Sequence, residues 1–291
     1  MIRVQVPATS ANLGVGYDCM GLALSEYATV CFETCDQKLV IEGCLSAYCN
    51  EDNMIYTSFK EACKYMNKEV PNLKIMVDTN VPYARGMGSS ATCIVAGIIG
   101  ASAYFNNAMT LDEIFNLATA IEGHPDNISP AIFGSLCVSF MDEGKAYHIK
   151  YPVCDDLLCV MLIPDYEVKT KEAREVLPKT MSYEDAIYQM GRCVLLTKAL
   201  ETGNEFLIKK ASMDRMQEPY RKKLIKEYEQ TKALCEKHQM ITMLISGSGS
   251  TMMAFTKNYE QAQALTKEVL NLYPTWDTRI LHVDKDGAKV G

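Results

Sequence analysis

Hydrophobic and polar positions alternate with a period of two over residues 2–7 (IRVQVP), which predicts a first strand ended by Pro7. Residues 26–34 (EYATVCFET), β-branched and aromatic, predict a second. The link ATSANLGVGYDCMG (residues 8–21) is rich in small and turn-forming residues and reads as a surface loop of the kind that carries function. Ile55, Phe59, Ala62, Cys63 and Met66 then recur at helical spacing, which predicts a helix over 53–67, and LKIMVDT (73–79) is a strand. A helix over 112–122 (DEIFNLATAIE) is opened by Thr110, with Glu113 three residues on as in a capping box. GSLCVSF (134–140) follows as a strand.

Residues 147–156 (YHIKYPVCDD) lose the periodicity and read as a loop, so the chain divides into domains at 1–152 and 153–291. LLCVMLIP (157–164) opens the second half as a strand, followed by a long helix over 182–201 and a charged one over 221–238. ITMLIS, the turn GSG and TMMAF form two strands; a helix over 259–270 and a strand over 278–283 close the pattern. The order of elements predicts an α+β fold in each half.

Composition narrows the function classes. Net charge is −7, with no cluster of lysine or arginine, which argues against nucleic acid and anionic membrane surfaces and favours a small-molecule partner. The weakly polar run 93–105 is shorter than the ~20 residues of a membrane-spanning helix. MIRVQV has no apolar signal core, so a cytoplasmic location is expected. The 12 cysteines are scattered, form no C-x-x-C pair and read as free thiols of the core; the 4 histidines share no metal-ligand spacing, which argues against zinc.

The segment VPYARGMGSSATCIVAGIIGA (81–101) carries the strongest chemical signal. Gly86 and Gly88 free the backbone for left-handed turns, and Ser89 and Ser90 fall at the start of a helix. Unpaired N–H groups and a partial positive charge at such a helix start suit a phosphate, with no lysine cluster required. Small residues beyond it (Ala96, Gly97, Gly100, Ala101) let the helix pack closely on a sheet. A P-loop fails, because serine follows Gly88 where that motif has lysine. Gly86, Gly88 and Ala91 fit a dinucleotide fingerprint, but the acidic residue that should end a strand about twenty residues on is missing. Alone, the segment could also be a well-capped core helix with no ligand.

Three segments together resemble the GHMP kinase superfamily: PATSANLGVGYDCMGLAL (7–24), Pro82 with GMGSSA (86–91), and SGSGSTMMAF (246–255), in the family's order. EGHPDN (122–127), TKEAR (170–174) and DRMQEPYR (214–221) resemble its homoserine kinase branch. The resemblance implies a ribosomal protein S5 domain 2-like N-terminal domain, a ferredoxin-like C-terminal domain and an active site between them. It also implies transfer of a phosphoryl group from ATP, with Mg2+, to L-homoserine.

Residue by residue, it implies ATP contacts at Pro82, Tyr83, Ala84, Arg85, Gly86, Met87, Gly88, Ser89, Ser90, Ala91 and Thr92, and at Gly247, Ser248 and Gly249. Ser90 and Glu122 would hold the metal, and Asn12, Asp18, His124, Asn127, Thr170, Arg174 and Arg221 would line the substrate site. Glu122, Asn127 and Arg174 are the implied catalytic set. Asparagine at 127 cannot accept a proton, which implies direct attack by the substrate hydroxyl; the nearby Asp126 reads as structural. The chain departs from the family pattern at Ser250, commonly proline, which should loosen that turn, and at Gln217, often histidine. Members are often homodimers, for which this sequence holds no sign of its own. Threonine or a mevalonate-type acceptor, and a non-catalytic ligand-sensing role, are the alternatives.

Overall fold

The computed structural model describes residues 1–291. The first half runs β1 (Ile2–Ala11), β2 (Met20–Thr34), β3 (Leu39–Glu42), α1 (Met54–Tyr65), β4 (Leu73–Thr79), α2 (Ser89–Tyr104), α3 (Leu111–Glu122), α4 (Ile128–Phe133), β5 (Leu136–Asp142) and β6 (Lys145–Tyr151). The second runs β7 (Leu158–Ile163), α5 (Thr170–Glu175), α6 (Tyr183–Thr202), α7 (Glu205–Ala211), α8 (Glu218–Arg221), α9 (Tyr228–Lys237), β8 (Thr242–Ile245), β9 (Met252–Thr256), α10 (Tyr259–Leu272), β10 (Asp277–Leu281) and β11 (Lys289–Val290).

In the first sheet β1 lies between β11 and β2, and the long β2 pairs with β4 at its C-terminal end and with β5 at its start; only β3 and β4 pair in parallel. The second sheet has the order β10-β7-β9-β8, all antiparallel, with helices after its first and third strands. That is the ferredoxin-like arrangement. Its two central strands are buried on both faces, which explains their unbroken apolar sequence. Cys159, Met161, Met253 and Phe255 face the core shared with β1, β2, α6 and α7, while Val160, Leu162, Met252 and Ala254 face the core beneath α9 and α10. The last residues return to the first sheet, where Val290 pairs with Val4.

α2 is the central helix of the first half and is buried along most of its length. A side chain at Gly97 would fall 2.3 Å from the Ile55 carbonyl oxygen of α1, and one at Gly100 would fall 2.3 Å from the Phe32 ring of β2. Its small residues thus let one helix lie close to both a neighbour and the sheet. The capping box at α3 is present, with Thr110 and Glu113 bonded reciprocally.

Several expectations are corrected. β1 does not end at Pro7 but continues to Ala11, with a register shift between Pro7 and Ala8 that absorbs the proline. β2 begins at Met20, not Glu26, because Gly21–Leu24 pair with Ala8–Ala11. The intervening loop is therefore short, and Asn12–Val15 are buried under the second half of the chain. The stretch 147–156 is not all loop: residues to Tyr151 belong to β6. The charged helix over 221–238 is broken, because Ile225 turns extended to place its side chain in the second-sheet core before α9 starts at Tyr228. The turn at Ser250 is tied down, its hydroxyl donating to the Tyr166 carbonyl.

Candidate active site

The three glycine-containing loops converge on one point. Gly86 has φ +77°, and a side chain there would lie 2.2 Å from the Ser246 carbonyl oxygen; only glycine permits that approach. Across the gap the Ser246 hydroxyl donates to the Gly86 carbonyl and the Gly247 N–H donates to the Ala11 carbonyl at 3.1 Å. Thr9 N–H donates to the Met87 carbonyl at 3.2 Å. Gly88, at φ +69°, is the residue ahead of α2, and the first bond of that helix runs from Thr92 N–H to the Gly88 carbonyl. The N–H groups of Ser89, Ser90 and Ala91 therefore lie ahead of the ladder.

These loops border a cavity of about 380 Å³. On one wall the Ser90 hydroxyl donates to Glu122 Oε2 at 2.6 Å. Burial pushes the Glu122 carboxyl up from its ordinary pKa, and the bond from Ser90 opposes this. Beyond it, His124 Nδ1 meets Asp126 Oδ1 at 2.6 Å, and that same oxygen accepts the Asn127 N–H at 3.0 Å. The opposite wall is basic. Arg174 forks onto Asp18 with two bonds of 2.9 Å and also donates to the Tyr17 hydroxyl. Arg221 is buried, its Nε donating to the Ala173 carbonyl and its Nη1 to Gln217 Oε1 and the Gly247 carbonyl. Its Nη2 has no partner in the protein. The Tyr17 ring stands between the two guanidinium groups, 5.7 Å from Arg174 and 5.0 Å from Arg221.

Comparison with known proteins assigns this arrangement. Residues 53–135 match the model for the GHMP kinases N terminal domain, and residues 196–275 match that for the GHMP kinases C terminal region. A protein named homoserine kinase from Clostridium botulinum is 36% identical over 294 residues, covering 100% of this chain and 98% of its own. One of the same name from Crocosphaera subtropica is 40% identical over 301 residues, covering 99% and 97%. The chain belongs to the homoserine kinases of the GHMP family. The crystal structure of homoserine kinase from Cytophaga hutchinsonii superposes on this kinase with a TM-score of 0.90 at 26% identity, over 100% of this chain and 97% of that one.

The kinase brings most of the residues singled out in its sequence to one cavity. Asn12, Asp18, Tyr83, Ala84, Gly86, Gly88, Ser89, Ser90, Glu122, His124, Asn127, Thr170, Arg174, Arg221, Gly247 and Ser248 line it. Pro82, Arg85, Met87, Ala91, Thr92 and Gly249 do not. Met87 and Ala91 are buried in the cores, and Arg85 donates to the carbonyls of Tyr83, Ala84 and Asp165. Asn12 lines the cavity, but its amide is engaged at both ends, donating to the Gly247 carbonyl and accepting from Asp18 N–H. Gln217 bridges the first loop to Arg221 through the Gly14 carbonyl.

Sequence reasoning missed Tyr17 and the apolar end of the cavity, where Cys44, Tyr48, Met54, Val77 and Cys93 meet Tyr83. The Tyr48 and Tyr83 rings are 5.9 Å apart. Tyr48 ends a single 3-10 turn (Ser46–Tyr48) whose sequence carries no periodicity; the one local signal was Asn53, whose side chain caps α1.

The His124–Asp126 pair predicts a pH dependence of stability. The bond to Asp126 raises the His124 pKa above 6.5, with burial opposing. A raised histidine adds stability that is complete below the unfolded value and fades as pH rises through the folded one. Asp126→Asn is therefore expected to lower the Tm more at about pH 5.5 than at about pH 9, as thermal unfolding measures. Equal losses at both would contradict the ion pair.

Proposed function

We propose that the chain transfers the γ-phosphoryl group of ATP to the side-chain hydroxyl of L-homoserine, giving O-phospho-L-homoserine and ADP. The observation that carries this reading is that one cavity holds both an anion-binding helix start and a clamp for a zwitterion. The N–H groups ahead of α2 suit the phosphates, with Gly247 and Ser248 closing from the far side. The apolar end beside Tyr83 and Tyr48 offers flat, water-excluding walls for the base of the nucleotide.

At the other end, Arg221 and Arg174 suit the substrate carboxylate and Asp18 its ammonium. Asp18 and Arg174 neutralise one another when no amino acid lies between them. Their side chains are 34% and 39% exposed, and an ion pair so open to water is worth little, so opening it for a zwitterion costs little. A mevalonate-type acceptor has no ammonium for Asp18, which favours the amino-acid reading over that alternative. Every residue implied for catalysis is present, which favours an enzyme over a ligand sensor.

Ser90 and Glu122 fit Mg2+: one carboxylate, one hydroxyl and the substrate's own phosphate oxygens are the donor set it takes. Bound there, the ion would neutralise phosphate charge. The protein's own share is positioning. Thr170 and His124 flank the acceptor, and Asn127, unable to accept a proton, leaves the hydroxyl to attack directly while its proton passes to a phosphate oxygen or to solvent. Residues 1–152 supply most of the nucleotide wall, and residues 153–291 supply Gly247, Ser248 and both substrate arginines. Incubation with ATP, Mg2+ and L-homoserine, with the product identified by mass spectrometry, tests the reading: phosphorylated homoserine is expected, and unmodified homoserine would contradict it.

A further inference from the structure

We infer that Thr9 is a positioning residue for phosphoryl transfer: its hydroxyl fixes the Asn127 carboxamide so that the amide nitrogen, not the oxygen, faces the acceptor. This rests on the functional reading above and assigns a direction to the uncharged carboxamide at the reacting centre.

Thr9 lies in β1 and is fully buried. Its hydroxyl makes a single hydrogen bond, donating to Asn127 Oδ1 at 2.8 Å from 118 positions away in the chain. A carboxamide can be turned over at little steric cost, so its orientation is set by its partners. If it were reversed, the amide N–H would face the Thr9 oxygen, and the hydroxyl proton would be left buried with no acceptor. A buried donor without a partner carries its full desolvation cost, which selects the observed orientation.

The pair also lies where the chemistry must occur. A side chain at Gly88 would fall 2.0 Å from Thr9 Oγ1 and 3.2 Å from Asn127 Oδ1, so the turn that opens α2 sits directly over the bond. The bond from Thr9 N–H to the Met87 carbonyl holds β1 against that turn, and the Asn127 N–H is held by Asp126. Asn127 Nδ2 has no partner in the protein, and the residue lines the cavity. With its oxygen committed to Thr9, Asn127 offers the cavity donors only. They meet the acceptor hydroxyl oxygen or the oxygens of the transferring group, where negative charge develops and where a lone pair would repel.

A double-mutant cycle tests this. Thr9→Val keeps the shape and removes the donor; kcat is expected to fall about tenfold with the KM for ATP within about twofold of native, and Thr9→Ser is expected to restore most of the loss. In an Asn127→Ala background the valine should cost nothing further, because Thr9 would have nothing left to orient. A purely structural threonine would cost the same factor in both backgrounds, and that result, or a kcat within about twofold of native for Thr9→Val, overturns the proposal. If the valine variant does not fold by circular dichroism, Thr9→Ala, which only removes atoms, takes its place in the cycle. The cycle is read with whichever acceptor the native protein phosphorylates, so failure to use homoserine counts against the functional reading and not against Thr9.

Discussion

Glu122→Gln is expected to lower kcat about a thousandfold while leaving the fold intact. Glutamine keeps the volume and can still accept from the Ser90 hydroxyl, so the 2.6 Å contact that joins α2 to the end of α3 survives. What is lost is the one carboxylate beside the helix start. Arg85, in the glycine loop itself, is turned onto backbone carbonyls and the Glu167 carboxylate and does not take over that charge-neutralising role. The substitution should raise the Mg2+ concentration needed for half-maximal rate, and steady-state kinetics across a Mg2+ titration measures both effects. A kcat within a few-fold of native would remove Glu122 from the metal site.

Arg221→Ala is expected to lower kcat/KM for homoserine by roughly a hundredfold to a thousandfold, with nucleotide affinity changing far less. The side chain is buried, and three of its contacts are to protein, so part of the loss is architectural: Ala173, Gln217 and Gly247 each lose a donor. Arg221→Lys separates the two contributions, since lysine keeps a charge but not the fork that serves the wall and the carboxylate together. Lysine should therefore recover thermal stability better than it recovers kcat/KM. Calorimetric ATP binding beside homoserine kinetics checks this, and equal losses for both ligands would take Arg221 out of the substrate site.

What the sequence disclosed was whatever is decided locally. The helix start at Ser89–Ser90 follows from two glycines and two serines in a row, and the α3 cap follows from residues three apart. The errors arise where a distant partner decides the outcome. Pro7 would end a free strand, yet β1 passes through it because Ala8–Ala11 find a second set of partners in Gly21–Leu24. Ile225 lies within a run that reads as helix, and the core under α9 draws it out of that run.

The candidate site divides in the same way. Most residues carried by the motifs reach the cavity, but the roles of their atoms are not local. Asn12 spends its amide on Gly247, 235 positions away, and Gln217 reaches 203 positions to Gly14. Tyr17 stands one position before Asp18, and only the fold places two arginines from the second half against its ring.

The central claim is tested most directly by coupled ADP release from the purified protein with Mg-ATP, offering L-homoserine, L-threonine, mevalonate and galactose in parallel. The geometry predicts turnover with homoserine well above the other three. Preference for mevalonate or galactose, or no turnover with any of them while ATP still binds, would contradict it.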